Sequence, residues 1–321
     1  MSRSWRTVRV AAKAREADDI TSFELVDPQG ASLEPFSVGS HIDVKIATGM
    51  IRQYSLCNDP GERGRYLIAV LREPASRGGS VTLIDTVDVG AELHISEPRN
   101  QFSLDVKAEG ALLLAGGIGI TPILCMAERL AHIGTPFELH YSARSLSRTA
   151  FYNRIAGSSF AERVRFHFDD VPDTRLDLPE LFAVPRAQDH LYVCGPQGFI
   201  EAAVAAALSA GWSPDRIHRE FFAPAHDTKR GEGGAFEVEV ASTGARFLVA
   251  AGQSVVDALS ANGVEIPVSC EQGVCGICVT RVLKGTPDHR DMFMTDQEHA
   301  RNDQFTPCCS RSKTDLLVLD L

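Results

Sequence analysis

Cys270, Cys275 and Cys278 stand in a C-x4-C-x2-C array within SCEQGVCGIC, and Cys308 follows about thirty residues later. Thiolates at this spacing hold a plant-type [2Fe–2S] cluster, two sulfurs to each iron. A loop wrapped around a cluster must turn backbone N–H groups toward sulfur. Gly273 and Gly276 permit the positive φ angles that this demands. Such a cluster moves single electrons and makes no bonds. A structural zinc site prefers paired C-x2-C spacings, and the four-residue gap after Cys270 argues against one. A disulfide framework belongs to short secreted chains, whereas this chain has 321 residues and its MSRSWRTVRV start lacks an apolar core of signal length. Reduced cysteines and a cluster together imply the cytoplasm.

Three further strings carry chemistry. In RQYS, Tyr54 offers a flat ring, Ser55 a hydroxyl for a flavin N5, and Arg52 a cation for its phosphate. RGGS (Arg77, Gly78, Gly79, Ser80) precedes the helix-like SVTLIDTV, so its glycines expose N–H groups at a helix N-terminus and Arg77 adds charge for a phosphate. In GGIGITP, Gly116, Gly117, Gly119, Thr121 and Pro122 link a buried strand to a helix, where α/β sheets bind nucleotides. Pro122 takes the place of the third glycine, so the string is not G-x-G-x-x-G. In HLYVCGPQGF, Cys194, Gly195 and Pro196 end a later strand at the same sheet edge and would lie against a nicotinamide. Taken alone, Cys194 reads as packing.

The elements that must position these strings change period along the chain. Up to about residue 104, WRTVRVAAKA, ITSFELVD, GSHIDVKIA, IRQYSLCN and RYLIAVLRE read as strands separated by DPQG and NDPGERG turns, as in a barrel or sandwich. Then ALLLA, FELHYSAR, VRFHFDD and HLYVCGP read as strands alternating with helices, which predicts a doubly wound α/β domain. Its first helix should bury Ile123, Met126, Leu130 and Ile133, with Thr121 as cap and Pro122 in the first turn. APAHDTKRGEGG reads as a linker, and a hairpin, the helix SVVDALSANG, the cysteine loop and a final strand DLLVLDL make a small α+β unit. The expected domains are 1–104, 105–224, a linker at 225–234, and 235–321.

Composition narrows the partners. Hydrophobic residues make up 44% and charged residues 23%, values of a soluble globular chain, and no apolar run reaches membrane-span length. A net charge of −10 argues against nucleic acid. Residues 235–321 hold seven Lys or Arg against twelve Asp or Glu, an acidic balance that would steer toward a basic partner or be a solvated face.

In this order RQYSLCND, SRGGS, AGGIGITP, YVCGP, SCEQGVCGIC, PDHRDM, CCSR and LVLDL resemble the ferredoxin–NADP reductase superfamily. More closely they resemble its phthalate dioxygenase reductase family, near the reductases of vanillate demethylase systems. The resemblance implies an FMN-binding barrel, an NADH-binding α/β domain and a C-terminal plant-type ferredoxin. It implies FMN contacts from Arg52, Tyr54, Ser55, Gly78, Gly79 and Ser80, and nucleotide contacts from Gly117, Thr121, Cys194, Gly195 and Pro196. Phe222, in REFF, matches a family aromatic near the flavin, although Phe221 competes for the role. The pattern C-x-S-R makes Cys308 the fourth ligand and leaves Cys309 at a variable position. PDHRDM (Pro287–Met292) matches the family without a role of its own beyond a salt-bridged loop.

NADH delivers electrons in pairs and the cluster accepts one, a mismatch that a flavin resolves. Plant-type clusters sit near about −400 mV and Rieske clusters higher, so electrons run downhill to a Rieske-type oxygenase. The expected protein is therefore an NADH-dependent reductase, monomeric, feeding a separate Rieske oxygenase. The rival readings are a cytochrome P450 as acceptor, a non-enzymatic redox-sensing module and a zinc-stabilised binding module. YSARSLSR lacks an acidic residue to hold an NAD ribose, and Arg144 and Arg148 suit a 2′-phosphate, so NADPH stays open as well.

Overall fold

A computed structural model describes residues 4–46, 50–73, 78–184, 186, 188–222, 233–268 and 270–321. The chain divides into two compact units, Met1–Glu220 and Phe221–Leu321.

The first unit begins with β1 (Trp5–Ala17), β2 (Ile20–Val26), β3 (Ser40–Lys45), β4 (Ile51–Ser55), β5 (Tyr66–Leu71), the helix α1 (Gly79–Thr86), β6 (Glu92–Ser96) and β7 (Arg99–Asn100). The strands pair antiparallel in the order β4-β3-β6-β1-β2-β5, with β7 added to β3. Val8, Val10, Phe23, Leu25, Ile42, Val44, Ile68 and Ile95 come from five strands and share one core with Leu83 of α1. A single sheet whose inner residues meet in one cluster is a sheet curled on itself, which is the barrel solution to burying one apolar face.

The same unit continues with β8 (Gly110–Gly116), α2 (Ile120–Ile133), β9 (Phe137–Ala143), α3 (Tyr152–Ala156), β10 (Val164–Phe168), α4 (Leu178–Ala183), β11 (Asp189–Cys194), α5 (Gln197–Ser209) and β12 (Ile217–Glu220). These five strands are parallel in the order β10-β9-β8-β11-β12. All seven residues of β8 are buried, as a central parallel strand covered on both faces requires. The chain order reverses between β8 and β11, the position at which open α/β sheets accept ligands.

Two local expectations are corrected here. Thr121 does not cap α2. Gly117–Gly119 form a 3-10 turn, α2 starts at Ile120, and the Thr121 hydroxyl donates backwards to the Ile118 carbonyl (3.1 Å). Ile133 is 37% exposed while Ile123, Met126 and Leu130 are buried, because Ile133 is the last helical residue before the Gly134 C-cap and lies past the apolar stripe.

The second unit holds β13 (Phe236–Val240), β14 (Ala245–Val249), α6 (Val255–Ser260), β15 (Thr280–Lys284), β16 (Pro287–Asp288), α7 (Asp296–Arg301), β17 (Gln304–Phe305), β18 (Arg311–Ser312) and β19 (Leu316–Leu319). Its main sheet runs β14-β13-β19-β15-β17, and β16 pairs with β18. Val238, Leu259, Phe305, Leu317 and Leu319 form its core, which also includes Cys278 and Cys308. The cysteine loop, residues 270–278, therefore sits directly on the apolar centre of this unit.

Candidate cofactor and cluster sites

The glycines of the first unit mark where backbone meets backbone. A Cβ on Gly119 would fall 2.2 Å from the Cys194 carbonyl oxygen and 2.6 Å from the Gly195 nitrogen. One on Gly116 would fall 2.9 Å from Pro196 Cδ, and one on Gly195 2.9 Å from Gly116 Cα. GGIGITP and CGP are thus one site built from two turns at the reversal of the sheet. Neither α2 nor α5 has a side-chain cap, and helix starts without one are where a pyrophosphate can be held.

RQYS and RGGS also come together. A Cβ on Gly79 would lie 2.6 Å from Arg52 Nε, so only glycine lets the guanidinium pass over the start of α1. Gly78 caps that helix in the left-handed region (φ 89°) without a side chain, which leaves its first N–H groups and the Arg52 charge beside one another. These are the donors that an FMN phosphate needs. The Ser80 hydroxyl accepts the Glu73 N–H (3.1 Å). Arg77 lies outside the described residues. Burial pushes the Tyr54 phenol far above its ordinary range, so it remains neutral beside Arg52.

A residue that sequence reading passed over completes this region. Ser55, at the end of β4, donates to Glu220 Oε2 (3.5 Å), and Glu220 pairs in register with the buried Cys194 at the end of β11. Desolvation pushes the Glu220 carboxyl up to about 8, and burial together with Glu220 raises the Cys194 thiol, so both side chains are neutral at pH 7. Ser55, Cys194 and Glu220 thus form a row of uncharged polar groups where barrel and sheet meet. The signal available in sequence was the position of Glu220, a carboxylate at the carboxyl end of the last parallel strand, next to REFF.

Glu220 gives this unit a pH signature. Its folded value is above that of an unfolded glutamate, so its contribution to stability is fully present below about pH 4.5 and is lost as pH rises through 8. Glu220→Gln should therefore melt above wild type by a margin that widens between pH 5 and 8 and closes at pH 4.5, as thermal unfolding across pH would read. A margin independent of pH would count against a neutral Glu220.

Phe222 is half-buried at the start of the second unit. In that unit Cys270, Cys275, Cys278 and Cys308 are all buried. The Cys270 side chain meets those of Cys275 and Cys308, and Cys308 meets Cys278 and Cys309 as well. Backbone N–H groups of Gln272 and Val274 point at the Cys270 sulfur, and that of Ile277 at Cys275. Gly273 (φ 74°) and Gly276 (φ 67°) are left-handed, and a side chain at Gly276 would strike the Phe293 ring. Four buried thiols joined by a chain of contacts, with N–H donors aimed at sulfur, fit a [2Fe–2S] cluster. Cys309 is half-buried, and its sulfur faces Thr306 Oγ1 (3.2 Å) and Ser310 Oγ (3.9 Å).

Comparison with known proteins agrees with both units. The domain family described as "2Fe-2S iron-sulfur cluster binding domain" matches residues 238–313. The chain is 55% identical to a vanillate O-demethylase oxidoreductase of Pseudomonas putida, over 97% of this chain and 98% of that one. A solved phthalate dioxygenase reductase superposes with a TM-score of 0.81 at 39% identity, covering 99% of this chain and 98% of that chain. An intact type IV self-sufficient cytochrome P450 monooxygenase superposes at 0.82 and 39% identity, with 99% of this chain covering 41% of that one. Since likeness in sequence and fold runs the full length of both partners rather than over the cysteine loop alone, the chain belongs to the phthalate dioxygenase reductase family, as an NADH-dependent oxidoreductase that uses FMN and a [2Fe–2S] cluster to supply electrons to an oxygenase.

Proposed function

We propose that this reductase feeds a Rieske-type aromatic-ring oxygenase or demethylase, with Cys270, Cys275, Cys278 and Cys308 holding the cluster. The observation that carries the ligand set is the contact of Cys308 with both Cys270 and Cys278 inside the core of the second unit. Full-length likeness to a vanillate O-demethylase oxidoreductase favours an oxygenase that acts on a methoxylated aromatic acid.

The flavin accepts hydride and passes on single electrons when bound, and the cluster carries them one at a time. The chain's own task is placement. Gly116, Gly117, Gly119, Thr121 and Pro122, with Gly195 and Pro196, bring backbone close to the dinucleotide, and the open starts of α2 and α5 bind its pyrophosphate. Arg52, Gly78, Gly79 and Ser80, with Arg77, hold the flavin phosphate, and Tyr54 packs on the ring. Ser55 and Cys194, both uncharged, would lie beside the flavin N5 and the nicotinamide, so neither would set a fixed charge against hydride movement. Phe222 is read as the aromatic that covers the flavin. The domain limits read from sequence, 1–104, 105–224 and 235–321 around a linker at 225–234, suit this division of labour, although residues 225–232 lie outside the described residues.

The preference for NADH has a reading in side chains that sequence did not place. Arg148 is engaged by Asp19 (3.4 Å), which takes one cation away from a 2′-phosphate. The end of β10 brings Asp169 and Asp170, both exposed, against the β9 turn, where the Asp170 N–H donates to the Arg144 carbonyl (3.2 Å). A carboxylate there repels a 2′-phosphate and accepts a ribose hydroxyl. Asp170→Ser should raise kcat/KM for NADPH by about five- to tenfold, the size of one partly screened charge, and lower it for NADH. Unchanged kcat/KM for both nucleotides would remove Asp170 from the site.

Stopped-flow mixing of the NADH-reduced protein with a purified Rieske oxygenase and with a cytochrome P450 tests the partner. Rapid cluster reoxidation by the first and not the second is expected, and the reverse would favour the P450 reading, for which the likeness to a P450-fused reductase speaks. Eight cysteines outside any disulfide and a cluster suit a cytoplasmic protein, and we read it as a monomer, to be seen in sedimentation at 34.8 kDa.

A further inference from the structure

The PDHRDM segment forms more than a salt-bridged loop, although the Arg290–Asp288 pair (2.7 Å) is present. Asp291, its fifth residue, has a side chain with no exposure. Its carboxylate accepts the Met294 N–H (2.8 Å) and lies 3.2 Å through each oxygen from His299 Nε2 on α7. The start of α7 is set by a capping box between Thr295 and Glu298, which fixes where His299 falls. The residues on either side of Asp291 reach different cysteine loops. The Arg290 N–H donates to Ser310 Oγ (3.1 Å), beside Cys308 and Cys309, and the Met292 N–H donates to the Gly273 carbonyl (3.0 Å), between Cys270 and Cys275. Contact is so close that a Cβ on Gly273 would lie 2.9 Å from Asp291 Cα.

His289, Asp291 and His299 also bring nitrogen and oxygen atoms near one another, as a metal site would. The ring geometry speaks against that use. The two imidazoles stack with centroids 4.4 Å apart and 23° between planes. Ring-nitrogen lone pairs lie in the ring plane, so two nearly parallel stacked rings do not aim at one ion. His289 instead contacts Asn302 Oδ1 through Nε2 (3.2 Å), which ties the far end of α7 to the same strap.

We propose that Asp291 is a positioning residue for the iron–sulfur cluster: its buried carboxylate shapes a strap, residues 289–299, whose backbone grips both cysteine loops at once. The proposal rests on Cys270, Cys275, Cys278 and Cys308 being the ligands. Without the carboxylate the bend from Asp291 to Met294 loses its acceptor, and the two loops are no longer held at one spacing.

The full-length holoprotein, Asp291→Ala, Asp291→Asn, His299→Leu, His299→Gln and Cys308→Ser are compared for iron and labile sulfide content, iron release to a chelator, visible circular dichroism and midpoint potential. Asp291→Ala should keep its FMN and NADH-driven flavin bleaching but release iron about 10- to 100-fold faster, the usual effect of losing an outer-shell partner. Asp291→Asn should retain the cluster with an altered dichroism spectrum and a midpoint potential displaced by up to about 59 mV, a tenfold change in the reduction equilibrium for one electron. His299→Leu should speed iron release, and His299→Gln, which still offers an N–H to Asp291, should restore it. If Asp291→Ala fails to fold, the Asn potential and the His299 pair decide the matter. Wild-type iron release, dichroism and potential in Asp291→Asn together with wild-type release in His299→Leu would overturn the proposal. Retention of the cluster in Cys308→Ser would overturn the ligand assignment instead, and the proposal with it.

Discussion

Cys308→Ser should lose the cluster and keep NADH-driven flavin reduction, whereas Cys309→Ser should keep both. The two cysteines are adjacent and touch each other, but they differ in burial and in the other cysteines they meet. Cys308 is buried, belongs to the core of the second unit, and touches Cys270 and Cys278. Cys309 is half-buried at the edge of that core, its sulfur against the Thr306 and Ser310 hydroxyls, Cys308 and the Gly273 backbone. Successive residues point in different directions, so one side chain of such a pair reaches the cluster and the other does not. Serine is a poor donor to iron, and cytochrome c reduction through the cluster should fall by at least about 100-fold, beyond what loss of an outer-shell partner costs. Reduction of ferricyanide, which takes electrons at the flavin, should change little. Iron content and the cluster absorbance read the result directly, and loss of iron in Cys309→Ser alone would reverse the assignment.

Gly119→Ala should cripple use of NADH while FMN stays bound. The added methyl would sit 2.2 Å from the Cys194 carbonyl oxygen, 2.4 Å from its carbon and 2.6 Å from the Gly195 nitrogen. All three are backbone atoms, so no side chain can swing aside. One of the two turns at the reversal of the sheet must move by about 1 Å, and displacement of that size in a hydride-transfer geometry costs about 100-fold in rate. The overpacking should also lower stability by about 1–3 kcal/mol. The proposed FMN phosphate site, Arg52 and Gly79, is built on β4 and α1 and is untouched, so flavin content should match wild type. Stopped-flow flavin reduction by NADH, with dithionite reduction of the cluster as control, measures the loss. A kcat/KM within about threefold of wild type would mean that the nicotinamide does not use this crevice.

The chemistry of this chain was legible in its sequence because it depends on residue types at short spacings. Cys270, Cys275 and Cys278 lie within nine residues, and a loop of that length with two glycines has few ways to present three thiols. The change from closely spaced strands to alternating strands and helices near residue 105 likewise follows from period alone, and the fold class came from it together with the family likeness. Local starts and ends were less secure. Thr121 looks like a helix cap, but the preceding glycines make a 3-10 turn and its hydroxyl bonds backwards to Ile118.

What sequence by itself determined, then, was the set of strings that handle electrons and their order along the chain. The tertiary structure alone decided which distant residues those strings meet. Glu220 faces Ser55 across 165 positions because β12 ends where β4 ends. Asp170 meets Arg144 because β10 lies beside β9. Asp291 holds His299 and stands between Gly273 and Ser310 because two turns fold onto the cysteine loops. None of these has a fixed spacing, since burial and sheet pairing set such contacts and many intervening lengths serve equally well. A carboxylate met in sequence is one of 42 acidic residues, and only desolvation by its neighbours makes Glu220 a neutral group and Asp291 a buried anchor.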